Sequence, residues 1–84
     1  MEYELGRKDR AMSQLDTAIE LNPDRADLHG MRAIVQQELG NYDRAIADAE
    51  RFIALSPQGA DGPDVKRAFD LIGACEAKRA REKP

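Results

Sequence analysis

His29 and Cys75 are the side chains of this 84-residue chain best suited to nucleophilic or acid–base chemistry, and each is the only one of its type. A catalytic histidine needs a nucleophile within hydrogen-bond reach and an acid to orient it. Asp27 lies two residues before His29, so on a helix it faces elsewhere, and Cys75 falls on the apolar stripe of another segment. His29 is therefore read as a packing residue and Cys75 as a small core residue. One cysteine forms no internal disulfide, and one Cys with one His builds no zinc site. The carboxylate pairs Asp24/Asp27 and Asp61/Asp64 are spaced as helix caps, and Asp43 sits at a helix start, where the positive end of the dipole favours it. The six glycines form no phosphate-binding motif. No catalytic, metal or cofactor constellation emerges, and the expectation is a protein that is not an enzyme and carries no cofactor.

The length sets one small domain, 42 % hydrophobic and 35 % charged. There is no apolar run long enough for a transmembrane helix and no signal-peptide pattern. A net charge of −3 speaks against a nucleic-acid binder driven by phosphate contacts. The basic excess sits at the end, in Lys78, Arg79, Arg81 and Lys83. That pattern suits the C-terminal turn of a helix. The expected partners are protein or peptide, with no nucleic acid and no membrane.

The elements that would position these residues are all helical. In segment 8–21, Ala11, Met12, Leu15, Ala18 and Ile19 form one stripe of a 3.6-residue period. Segment 42–55 repeats it with Ala45, Ile46, Ala49, Phe52 and Ile53. Asn41 should cap that helix, whereas Arg7 at the matching position caps poorly. Pro23 and Pro57 each stop a helix two residues after a leucine. Between them, segment 25–39 starts at Asp24 as N-cap and turns Leu28, Arg32, Ala33, Gln36 and Leu39 one way. Gly40 ends it in the left-handed position. Asp61 and Pro63 open a last helix, 63–82, whose stripe is Val65, Ala68, Phe69, Ile72 and Cys75.

The chain also matches itself at an offset of 34 residues. Gly6, Asp9, Arg10, Ala11, Ile19, Leu21 and Pro23 pair with Gly40, Asp43, Arg44, Ala45, Ile53, Leu55 and Pro57. Chance predicts about one identity over such a window. With this period, the turn Gly40–Ile46, the small residues Ala33 and Ala45, and the ending Leu55–Pro57, the chain resembles the tetratricopeptide repeat family. His29 and Gln36 stand where that family usually has aromatics, and Phe52 where it has a small alanine.

The resemblance implies an all-α fold: antiparallel helix–turn–helix repeats stacked as a short right-handed superhelix. It would hold four helices plus an N-terminal stub, roughly Met1–Leu5. Residues 1–25 would be a truncated repeat, 26–59 a full repeat, and 60–84 a terminal capping helix and tail.

In this family the first helix of each repeat lines a concave surface that binds peptides or partner helices. Carried over, that surface is Asp27, Gly30, Met31, Ile34, Gln37 and Glu38. Met31 and Ile34 are either groove residues or, for Ile34, core beneath the last helix. Gly30 would admit a ligand or, as the favoured reading, the last helix. One subtype grips a chaperone's C-terminal carboxylate with Lys, Asn and Arg, but Gly30, Met31 and Ile34 hold those places here and disfavour that partner. The implied function is a non-catalytic interaction module, or alternatively a structural or oligomerising terminal segment of a larger protein. So short an array leaves one side of helix 8–21 uncovered. Either the chain is part of a longer array, or a second copy covers that side as a homodimer. Nine arginines to four lysines hint at a bacterial source, and the expected location is the cytoplasm.

Overall fold

The computed structural model describes residues 2–56 and 63–82. Its elements are α1 (Glu2–Leu21), α2 (Ala26–Glu38), α3 (Tyr42–Leu55) and α4 (Pro63–Glu82), with no strand among the described residues. α3 packs between α2 and α4, α4 also touches α2, and α1 packs on α2 alone among the described helices. None of these helices is long and apolar enough to cross a membrane.

The breakers act where the sequence puts them. α1 ends at Leu21, two residues before Pro23, and α3 ends at Leu55. Ser56 is extended (φ −69°, ψ 127°), the conformation a following proline imposes. Gly40 adopts φ +84° and reverses the chain between α2 and α3. A Cβ there would meet no atom within 4 Å, so the cost of a side chain is purely conformational. Gly40→Ala should destabilise by about 1–2 kcal/mol, measured by urea denaturation.

Three local expectations are corrected. The N-terminal stub does not exist as a separate element, because α1 runs unbroken through Gly6. Gly6 does not take the left-handed φ of its repeat partner Gly40. Asp24 is not the N-cap of α2. Arg25 occupies that position, and Asp27 accepts two hydrogen bonds from its guanidinium, at 2.7 and 3.2 Å. Asn41 is the N-cap of α3, but its side chain makes no capping bond. Pro57 and Asp61, expected to stop α3 and to cap α4, lie outside the described residues.

The core is built from small residues. Ala33, Ala49 and Ala68 meet where α2, α3 and α4 converge, with Phe52, Ile53, Leu71 and Ile72 packed around them. Ala45 and Ile46 form a second cluster with Cys75, ringed by Tyr42, Leu71 and Ile72. On α4 the stripe is shifted: Phe69 is half exposed, and Leu71 packs inward instead. Arg79 Nη1 donates to Asp43 Oδ1 at 2.6 Å, tying the end of α4 to the start of α3.

Candidate functional site

A groove of about 280 Å³ runs between α2 and α4 over a floor from α3. Asp27, Gly30, Met31, Ala33 and Ile34 form one wall, Asp64, Arg67, Ala68 and Leu71 the other, and Ala49 and Phe52 the floor. Four of the six residues expected on the concave face therefore line one cavity. Gln37 and Glu38, a turn further along α2, do not line it. Met31 is 53 % and Ile34 51 % exposed, so the last helix does not cover Ile34. A second groove, of about 420 Å³, lies on the other side of the same ridge. It is bounded by Ala11, Gln14, Leu15 and Ala18 of α1 and by Met31, Ile34 and Val35 of α2.

Gly30 explains the seat of Phe52. A Cβ on Gly30 would lie 3.0 Å from Phe52 Cδ1 and 3.3 Å from Cε1. The close approach is thus made by the α3 ring and not by the last helix, which corrects the favoured sequence reading. A glycine in a helix costs about 1 kcal/mol against alanine, and the ring packed on it offsets that. Gly30→Ala should be destabilising in the wild type but stabilising by up to about 1 kcal/mol in a Phe52→Ala background. A double-mutant cycle in urea measures this, and equal effects in both backgrounds would remove the coupling.

The edge of the groove carries charge. Arg25 holds the Asp27 carboxyl below the usual carboxylate range, chiefly through its hydrogen bond. Behind α2 lies a polar network that spacing alone did not reveal. Arg32 Nε and Nη2 donate to both oxygens of Asp48, at 2.9 and 2.8 Å, while Nη1 donates to Asp16 at 2.9 Å. One guanidinium thereby joins α1, α2 and α3. The hydrogen bond from Arg32 to Asp48 is the main cause that raises the Arg32 pKa, so the guanidinium keeps its charge. The signal was present in outline: Arg32 stands on the inward stripe of α2, and Asp48 stands among Ala45, Ala49 and Phe52 on that of α3.

His29 is 6 % exposed. Its Nε2 lies 2.8 Å from the Pro23 carbonyl oxygen, which only accepts, so Nε2 is the donor. Nδ1 lies 3.9 Å from Asp48 Oδ1, without a hydrogen bond. The ring pins the α1–α2 turn to the body of α2, as a packing residue does. Cys75 is fully buried in the α3–α4 core, and burial pushes its thiol pKa up. A buried thiol with a raised pKa is a poor nucleophile at neutral pH.

Two tetratricopeptide repeat profiles match the chain, one over residues 15–47 and the other over residues 2–25. Together they cover more than half of its length. The chain belongs to the tetratricopeptide repeat family. Neither a search of curated proteins nor one of solved structures returns a match. Tetratricopeptide repeats generally mediate protein–protein interaction and are typically non-catalytic. The helical stack, the small residues where α2, α3 and α4 converge and the turn at Gly40 are the structural form of that membership here. The departures at His29, Gln36 and Phe52 are where this tetratricopeptide repeat protein packs in its own way. Phe52 fills the space over Gly30, while His29 and Gln36 bury polar side chains in α2.

Proposed function

We propose that this tetratricopeptide repeat protein is a non-catalytic interaction module that takes an apolar segment of a partner protein, as a peptide or a helix, in the α2–α4 groove. The observation that carries the reading is the pair Met31 and Ile34, half exposed on the rim of a cavity floored by Phe52. Exposed apolar side chains around a concave site are the usual mark of a docking surface. Asp27, Gly30, Met31 and Ile34 are the contact residues, and Gln37 and Glu38 extend the same helix face beyond the cavity. The open side of α1 favours a second role in self-association through the N-terminal part of the chain.

A displayed random-peptide library selected on the folded chain tests the groove. Enriched peptides should lose at least about tenfold in affinity on Ile34→Glu or Met31→Glu, both exposed on the groove rim, a loss of about 1.4 kcal/mol or more. Binding should survive Glu50→Ala on the exposed side of α3. Peptides that bind equally to all three variants would place the partner site elsewhere.

A further inference from the structure

The floor of the α2–α4 groove is stepped. Arg79, near the end of α4, pairs with Asp43 at the start of α3, and the turn at Gly40 joins the end of α2 to that same start. α2 and α4 therefore both run antiparallel to α3, and their first turns share the end of the groove where α3 finishes. Phe52 stands at that end, its ring over the place that a side chain at Gly30 would take. One turn back along α3 the floor drops to Ala49, which packs with Ala33 and Ala68. Ile34 and Leu71 stand on the two walls.

The charges near the ring are matched within the chain. Arg25 pairs with Asp27 at 2.7 Å, and Asp64 and Arg67 stand three residues apart on one face of α4, as neighbours of opposite sign. Each carboxylate also suits the positive end of its own helix. These four side chains sum to no net charge, and the lining beyond the ring is apolar. Complementarity therefore selects an uncharged, apolar side chain from the partner.

We infer that Phe52 sets the class of that side chain: the groove takes one aliphatic anchor (leucine, isoleucine, valine or methionine) over Ala33, Ala49 and Ala68, and rejects an aromatic one. The inference rests on the docking reading above and names the partner's chemistry. The whole groove holds about 280 Å³, at the low end of ligand pockets. An aliphatic anchor is compact enough to fill the dip and pack against the edge of the Phe52 ring. A second ring is longer and needs the space that Phe52 already occupies. To yield it, Phe52 would have to leave Gly30 and the alanine cluster on which it packs. Thirty-four residues earlier the corresponding place holds Ala18, so the ring belongs to this groove and not to the repeat pattern.

Peptides enriched from a displayed random library on the full chain test this. Alanine scanning of an enriched peptide identifies its anchor, and versions with leucine or phenylalanine at that place are compared by titration. On the wild type the phenylalanine version should bind at least about tenfold more weakly. On Phe52→Leu and Phe52→Ala the penalty should fall below about threefold. A ratio of two affinities on one variant does not change when part of that variant is unfolded, and Phe52→Leu keeps an apolar side chain on the core. Aromatic anchors enriched on the wild type, stacked on the ring, overturn the inference without any variant. A penalty that persists in both variants overturns it as well, and in either case the docking site stands. Peptides indifferent to Met31→Glu and Ile34→Glu overturn the docking reading, and this inference with it.

Discussion

Arg32→Ala should destabilise this chain by about 3–5 kcal/mol, the typical cost of removing one partner from a buried ion pair. A domain of this size has a total stability of about 4–13 kcal/mol at 0.05–0.15 kcal/mol per residue, so the variant sits near the edge of folding. The cost comes from Asp48. Its side chain is 9 % exposed, and both oxygens accept from one guanidinium. Without Arg32 the carboxylate has little water and no other Lys or Arg paired with it among the described residues, and His29 Nδ1 lies 3.9 Å away without a hydrogen bond to it. Asp16 loses little, because its side chain is 56 % exposed and solvent replaces the pair.

The asymmetry of buried pairs supplies the control. Replacing both partners with apolar residues, Arg32→Met with Asp48→Leu, should recover stability to within about 1 kcal/mol of the wild type. Urea denaturation of the single and double variants measures both values. A single variant that loses less than about 1 kcal/mol would mean that the network behaves as a surface pair.

Ala33→Leu is the second large effect, a loss of about 1–3 kcal/mol from overpacking. Ala33 is 1 % exposed where α2, α3 and α4 converge, against Ala49 and Ala68. Three added carbons must either push α2 off α3 or project into the groove that Ala33 lines. Moving α2 would disturb the Gly30–Phe52 contact and the Arg32–Asp48 pair on neighbouring turns. The same change at Ala47, exposed on α3, should lie within about 0.5 kcal/mol of the wild type. Similar melting behaviour for both variants would show that the helices are loosely packed.

Helix existence, the C-terminal ends of α1, α2 and α3 and the inward faces of α1 and α3 were readable from residue types. Period, proline and glycine act locally, and Pro23, Gly40 and Pro63 stand where helices end or begin. The failures were failures of context. Gly6 and Gly40 occupy matching places in the repeat, yet only Gly40 takes a positive φ and turns the chain, while α1 runs straight through Gly6. Phe69 fits the stripe of α4 by spacing but is half exposed, and Leu71 packs against the core in its place. Four residues of the candidate site were found from the family resemblance. Its other wall, Asp64, Arg67 and Leu71, was not, because it lies on a helix some thirty residues away.

The sequence by itself determined that this chain is helical, that it repeats every 34 residues, and that its helices approach closely at Ala33 and Ala45. Those properties follow from one helix at a time, or from two copies of one pattern. Only the tertiary structure decided which faces meet and what they bury. It placed Arg32 between Asp16 and Asp48, set Phe52 over Gly30, and left Met31 and Ile34 exposed between two grooves. The physical reason is that a contact between helices depends on their separation and rotation. Those are set by all the side chains at the interface together, and no single residue states them.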